Sequence, residues 1–221
     1  MEKDKTEKAD KTDKKDHILD VAEKVFAELG YDGASTRLIS GEANVNMAML
    51  NYYFGSKEGV FMAIFERRIS SFQSILLSIG NDDSINAWEK LDRYIESYVD
   101  RVVNNNCFHV MLHREISKSK KTELTDQIAG IMMKNVSVFQ AIIDTGIKSG
   151  EFKKDTDSQL LVATIFGTKN YLVNTPHISS LIIGYDVMDK ENQDKKLKPR
   201  LKTYLKSLLK AYLVNENDNN K

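Results

Sequence analysis

The stretch Ser35–Lys57, STRLISGEANVNMAMLNYYFGSK, decides how this chain is read. Ser35 or Thr36 suits the cap of a short helix over Arg37–Ala43, because a hydroxyl there accepts from the first unpaired N–H groups. Leu38 and Ile39 are its expected inward residues. Asn44 follows at a turn position where left-handed backbone is useful, and Asn tolerates that conformation better than most residues. Val45 is expected to plug the turn into the core. Asn46 caps a second helix running to Phe54, in which Leu50 and Phe54, four apart, make a thin apolar seam. Gly55-Ser56-Lys57 then steps into a third helix, with Ser56 as its cap. Two short helices joined by a tight turn form a helix-turn-helix. Its second helix leaves Met47, Ala48, Asn51, Tyr52 and Tyr53 outside, a polar and aromatic surface that suits a DNA groove and its phosphates.

In such a motif the second helix lies in the major groove with its first turns nearest the bases. Met47 and Ala48 are candidates for contact with thymine methyl groups, and Asn51 for the paired hydrogen bonds an amide offers to adenine. Asn46 belongs to the same candidate set, at the entry of the helix. Lys57 opens the next helix, where exposed N–H groups also favour a phosphate. Ser35, Thr36 and Arg37 flank the other strand in the same way.

Working outward, residues 1–16 alternate Lys with Asp or Glu and carry no large apolar residue after Met1, which predicts a solvated tail or a frayed helical extension. A basic arm built on Lys11, Lys14 and Lys15 is the rival reading, and the interleaved acids argue against it. Ile18, Leu19, Ala22, Val25, Phe26 and Leu29 then follow one face of a helix, ended by Gly30, with Gly33 free for positive φ in the turn that follows. Beyond Ser56, Val60, Ile64, Ile69, Phe72 and Leu76 mark a helix too long for a small head. Further helical stripes run through Ile85–Val102, Phe108–Ile116, Leu124–Ile143 (ending near Gly150), Ser158–Asn174 and Pro199–Val214. Asn104–Asn106 interrupt the pattern, and Thr175–Lys198 is long and mixed, with room for a short helix. The fold class is therefore all-α: a charged tail over 1–16, an N-terminal three-helix head with the helix-turn-helix over 17–63, and a larger helical domain over 64–221.

The 221 residues suffice for one or two domains with a real core. With 32 basic and 32 acidic side chains the formal net charge is zero, which argues against indiscriminate polyanion binding. A specific site needs only local positive potential and directional hydrogen bonds, so hydroxyl donors, backbone N–H groups and dimerisation should carry the affinity. The single cysteine, Cys107, excludes an internal disulfide framework and suits a reducing cytoplasm. No apolar run approaches the roughly 18–20 residues a membrane span needs. Walker loop, HExxH, GxSxG and Cys/His-cluster signatures are missing, so the sequence calls for no catalytic residue, cofactor or metal.

The region Ile18–Ile64 resembles the N-terminal domain of TetR-family repressors. The matching landmarks are Ile18-Leu19-Asp20-Val21-Ala22, Phe26, Gly30-Tyr31-Asp32, Ser35-Thr36-Arg37, Ile39, Ala43-Asn44-Val45-Asn46, Leu50-Asn51-Tyr52-Tyr53-Phe54 and Gly55-Ser56-Lys57-Glu58. Asn44 stands where Gly is common in the turn, and Asn51 where Tyr is common, at a position that often faces bases. Farther on, the likeness lies in length, helix pattern and the Gly150-Glu151-Phe152 step. The resemblance implies a cytoplasmic, dimeric repressor or activator of a prokaryote, with Tyr52 and Tyr53 at positions that contact DNA backbone oxygens. It also implies a larger domain that holds a small-molecule effector and the dimer interface.

Within that domain Trp88, Tyr94, Phe108, His109, His113, Phe139 and Phe166 are candidates to line a cavity, the competing reading being that each simply fills the core. His109 and His113 have a metal-compatible spacing but lack an evident third ligand. Arg114 is placed to meet an acidic effector, Glu115 or an Asp of another helix. Self-association is expected through the last two long helices, where Ala163, Gly167 and Thr168 permit close approach and Leu201, Tyr204, Leu205, Leu208 and Tyr212 share a side, with intramolecular core as the competing reading. Lys198, Lys202, Lys206 and Lys210 repeat every four residues as a solvated face. The alternative to a DNA-binding regulator is a helical small-molecule-binding protein or enzyme whose head makes protein contacts.

Overall fold

The computed structural model describes the backbone of residues 2–104, 106–118 and 121–214, and the side chains of 13–103, 107–118 and 121–214. The described residues contain helices and no strand. In order they are α1 (Glu2–Gly33), α2 (Thr36–Glu42), α3 (Met47–Phe54), α4 (Lys57–Gly80), α5 (Ala87–Asn104), α6 (Asn106–Ile116), α7 (Glu123–Ser149), α8 (Ser158–Asn174), α9 (Pro176–Ile183), α10 (Lys190–Asn192), a π-helical turn (Gln193–Leu197) and α11 (Lys198–Leu213). Among them no helix is long and apolar enough to cross a membrane.

The chain divides into two compact units, Met1–Ser70 with Val110–Ile131, and Ser71–His109 with Met132–Lys221. The first unit thus runs past the expected limit at residue 63 and takes in a later segment. The charge-alternating start lies in α1, which begins at Glu2; Lys11 and the other side chains up to residue 12 lie outside the described residues.

Ile18, Leu19, Ala22, Phe26, Ile39, Ala43, Leu50, Val60, Phe61, Ile64 and Phe65 are buried in the first unit. Phe61 is its centre, edge-on to Phe26 at 4.8 Å and 5.0 Å from the rings of Tyr31 and Phe65. The backbone breaks at Gly30, whose φ of 75° is the left-handed conformation glycine favours, and Gly33 stays helical. The kink thus falls at Gly30, where the sequence reading ends the helix, and the positive φ expected at Gly33 is taken by Gly30 instead. Leu29, read as part of the inward face, is half exposed on that kink. Arg114 closes the end before it, donating from Nη1 to the carbonyls of Ala27 at 2.6 Å and Glu28 at 3.1 Å. Arg114 is thus a helix C-terminal cap, which corrects its assignment to an acidic effector or a neighbouring acid. Glu23, nearly buried, accepts a bidentate pair from Arg68 at 2.8 and 3.0 Å.

The second unit has one core. Leu91, Ile95, Val99 and Val102 of α5, Phe139, Ile142 and Ile143 of α7, Leu161 and Ile165 of α8, and Leu201, Leu205, Leu209 and Leu213 of α11 meet there. Glu151 reaches back to the start of α5, its carboxylate accepting from Ala87 N at 3.1 Å, so the Gly150-Glu151-Phe152 step caps a helix far away in sequence. The lysine row of α11 corrects the expectation of a solvated face. Lys202 bridges Glu96 and Asp100, Lys206 bridges Asp92 and Glu96, Lys198 pairs with Asp194, and Lys210 lies over the Trp88 ring. Burial pushes the Glu96 carboxyl up, but the two ammonium groups outweigh it and hold the group below its ordinary value. Thr175–Lys198, read as mixed, contains α9, α10 and the π turn.

Candidate nucleic-acid interface

The helix-turn-helix is built as its capping residues dictate. Ser35 caps α2, its Oγ accepting from Leu38 N at 3.1 Å, so the cap is Ser35 rather than Thr36. Asn44 takes φ 51°, alone among described non-glycine residues in the positive range, and Val45 N closes the turn on Ser40 O at 2.9 Å. Asn46 Oδ1 accepts from Met49 N at 2.7 Å and so fixes the start of α3. Ile39 and Leu50 anchor the two helices with no exposed surface. Leu38 is an exposed residue, which corrects its inward assignment: consecutive residues on a helix sit about 100° apart, and Ile39 holds the core side. Val45 and Phe54 are half-buried rather than fully covered, and the Lys15 ammonium lies 5.8 Å from the Phe54 ring.

α3 turns Met47, Ala48, Asn51 and Tyr52 to solvent, Tyr52 with 78% of its surface free. Tyr53 is half-buried beside it, ring centroids 5.4 Å apart. Arg37 is exposed and Thr36 half-buried at the start of α2. The outer side of methyl, amide and phenol groups is the one the sequence predicts, while of the predicted Leu50–Phe54 seam only Leu50 is fully covered. A Tyr phenol can donate to phosphate oxygen, and an exposed Asn can meet a base edge with both donor and acceptor.

Lys57 has another partner set. Its Nζ donates to Tyr31 O at 2.9 Å and Ala34 O at 3.1 Å, and lies 4.4 Å from the Tyr31 ring centre. With three N–H bonds on an ammonium, at most one remains for a phosphate. Its first effect is to tie α4 to the loop that launches α2. Two further anchors escaped the sequence reading. His17 Nε2 lies 3.1 Å from Ala43 O, joining α1 to the end of α2. Gly59 is packed so closely that a Cβ there would lie 1.9 Å from the Phe54 carbonyl oxygen. A glycine inside a helix with no positive φ gives little signal of such an approach.

The candidate effector residues fall in different surroundings. Tyr94 and Phe139 are fully buried, ring centroids 5.1 Å apart, and Tyr98, Phe166 and partly buried Trp88 pack with the same core. Phe108 and His109 are buried with their rings 5.4 Å apart, outside that cluster. His113 Nε2 lies 3.3 Å from Ser117 Oγ. Among the described residues, depressions in the second unit are lined by other side chains. One of about 660 Å³ is bounded by Pro176, His177, Leu181, Tyr185 and Met188. One of about 390 Å³ lies by Leu77, Val138 and Ala141, and one of about 220 Å³ by Leu172, Ile183, Leu201 and Tyr204.

With this geometry in place, the comparisons agree. Residues 18–64 match the family "Bacterial regulatory proteins, tetR family", and residues 88–199 match the "Tetracyclin repressor-like, C-terminal domain". The chain belongs to the tetR family of bacterial transcriptional regulators. It is 29% identical over 199 residues to the HTH-type transcriptional repressor NicS of Pseudomonas putida, covering 85% of this chain and 87% of that one. It is 27% identical over 158 residues to the fatty acid metabolism regulator protein of Bacillus subtilis, covering 72% and 80%. A solved structure of the regulator FadR from Bacillus subtilis, in complex with stearoyl-CoA, is similar at TM-score 0.68 and 25% identity, over 86% of this chain and 97% of that one. These relatives are regulators, in line with the reading of this chain as a DNA-binding regulator rather than an enzyme.

Proposed function

We propose that the chain is a cytoplasmic, homodimeric repressor that binds a pseudo-palindromic DNA operator and is released by a small-molecule effector held in the second unit. The observation that carries this reading is the outer side of α3, where Met47, Ala48, Asn51 and Tyr52 stand free while Leu50 alone is wholly covered. Two such helices in a dimer would meet successive major grooves about 34–36 Å apart. Ser35, Thr36, Arg37, Asn46, Tyr52 and Tyr53 would hold the backbone, and Met47, Ala48 and Asn51 would read bases.

Selection from a random duplex library tests it. The protein should enrich a two-fold related site, and failure to enrich any sequence would overturn the proposal. Asn51→Ala should relax preference at one base pair per half-site by about 1–3 kcal/mol. Tyr52→Phe and Tyr53→Phe should instead weaken all sequences by a common factor, because phosphate contacts carry no base identity.

A broad apolar exposure supports the dimer. Leu160, Ala163, Gly167 and Tyr171 share the open side of α8, while α11 buries Leu201, Leu205, Leu209 and Leu213 and exposes Tyr204 and Tyr212. On α9, Leu181 and Ile182 are 72% and 66% exposed. Small residues on α8 allow a second helix to approach closely. Sedimentation at micromolar concentration should show a dimer, and Gly167→Glu should shift it to monomer. A wild-type monomer under those conditions would remove the dimeric part of the proposal.

The effector is read as an amphipathic molecule, since the similar B. subtilis regulator was solved in complex with stearoyl-CoA and the core of the second unit holds a run of packed aromatic rings. α4 contributes residues to both compact units, so a ligand that favours one packing of α4 in the second unit alters the head through continuous backbone. The ligand can weaken DNA binding only by its differential affinity for the two states. A coupling of about 1–3 kcal/mol changes operator affinity roughly 5–150-fold.

A further inference from the structure

The buried seam of α8 consists of Leu161, Ile165, Lys169 and Val173. A lysine four residues from each apolar neighbour is out of place there unless something meets its charge. Lys169 is 6% exposed, and among the described residues it has no hydrogen-bond or ion-pair partner. Burial alone pulls its ammonium down to about 8.

The same unit's core has a second deficit. Tyr94 and Tyr98, four apart on α5, are buried, and among the described residues neither hydroxyl has a hydrogen-bond partner. Each leaves a donor inside the protein unsatisfied, a cost that native cores usually avoid. Desolvation holds both phenols above their ordinary value, so they remain donors. The ring of Tyr98 lies 5.3 Å from that of Phe166, and Phe166 sits three residues before Lys169 on α8, one turn away. The Tyr94 ring in turn meets Phe139 at 5.1 Å. Two phenol donors therefore lie within a run of aromatic rings whose α8 member, Phe166, is one turn from the lysine.

We propose that this cluster binds an organic carboxylate with an apolar body, Lys169 supplying the positive charge, the Tyr94 and Tyr98 hydroxyls donating to its oxygens, and the aromatic rings covering its chain. The inference deepens the effector reading above and rests on it. The rings are close packed, so the ligand's body takes the place of Phe166, the half-buried member of the set. A neutral ligand of the same shape would leave Lys169 unpaired and so bind more weakly.

Straight-chain carboxylates from hexanoate to palmitate, each paired with the alcohol of equal length, are the probes. Trp88 is the only tryptophan of the chain and packs against this core, so its fluorescence reports saturation of the full-length protein. The best carboxylate is expected to bind at least about tenfold more tightly than its alcohol, a difference of about 1.4 kcal/mol. Lys169→Met should abolish that preference while leaving alcohol binding within about twofold, and Tyr98→Phe should reduce it in part. Equal binding of acid and alcohol, retention of the preference by Lys169→Met, or no saturable binding of any probe would each overturn the assignment. Binding is read without DNA, so its failure leaves the operator reading to the library selection. Failure of that selection with an intact carboxylate preference would sink the operator reading alone.

Discussion

Replacing Gly59 by alanine is expected to unlock the junction between α3 and α4 and to cost DNA binding at least tenfold. A Cβ built on Gly59 lies 1.9 Å from the carbonyl oxygen of Phe54 and 3.1 Å from its carbonyl carbon. The obstacle is backbone, so no rotamer change relieves it. Phe54 ends α3, Gly55 follows with φ 74°, and Ser56 Oγ accepts from Gly59 N at 3.0 Å. Any shift that makes room therefore moves the end of the helix proposed to read bases, or breaks the cap of α4. Overpacking of this kind costs about 1–3 kcal/mol, and more where the neighbour cannot give way. Amide exchange in α3 should accelerate by roughly a hundredfold for a local loss near 3 kcal/mol. Gly41→Ala is the control. Nothing lies within 4 Å of its Cβ position, its φ is not positive, and it stands inside α2. Alanine there should stabilise by up to about 1 kcal/mol. Wild-type exchange in Gly59→Ala would show that the junction can relax and is not what orients α3.

The contrast between these two glycines shows what the sequence could and could not tell. The helix-turn-helix was legible because it is specified locally. Caps at Ser35, Asn46 and Ser56, the left-handed Asn44 and the leucine at position 50 all act within a few residues of themselves. The outer side of α3 followed by subtraction once Leu50 was assigned inward. Errors arose where a distant partner decides. Lys57 reads from sequence only as a phosphate ligand, and the carbonyls of Tyr31 and Ala34 take two of its three N–H donors. The α11 lysines look solvated until the acids of α5 meet them. Arg114 is a charge without an address until α1 ends beneath it. Among the aromatic candidates of the second unit, Tyr94, Phe108 and Phe139 are buried and Trp88 and Phe166 partly so, as the competing core reading held. Periodicity could not say which polar atoms they bury. Lys169 went unnoticed because one lysine hardly disturbs an apolar stripe.

That lysine gives the second large effect. Lys169→Met should raise the stability of the second unit at pH 7 by about 3 kcal/mol, because an ammonium whose value falls from 10.5 to about 8 on folding opposes folding by roughly that amount. Methionine keeps the length and apolar stem, so little packing is lost. The sign of the pH dependence follows from the depressed value. Below about pH 8 the lysine is charged in both states and the penalty is complete. Between about 8 and 10.5 the unfolded chain still binds a proton that the folded one has lost, so wild-type stability should rise with pH across that window. Lys169→Met should lack this rise, and the two proteins should converge in stability near its upper end. Urea unfolding followed through Trp88 at pH 7, 8, 9 and 10 measures both effects. A Lys169→Met protein less stable than wild type at pH 7 would mean that the ammonium already has a favourable environment, and the argument for an absent anion would fail with it. If the gain appears and carboxylate preference disappears in the same variant, one side chain both weakens the empty domain and recognises what fills it. A ligand that supplies the missing charge would then stabilise the folded domain in proportion to its occupancy, which is the differential affinity an effector needs in order to move this regulator between its two states.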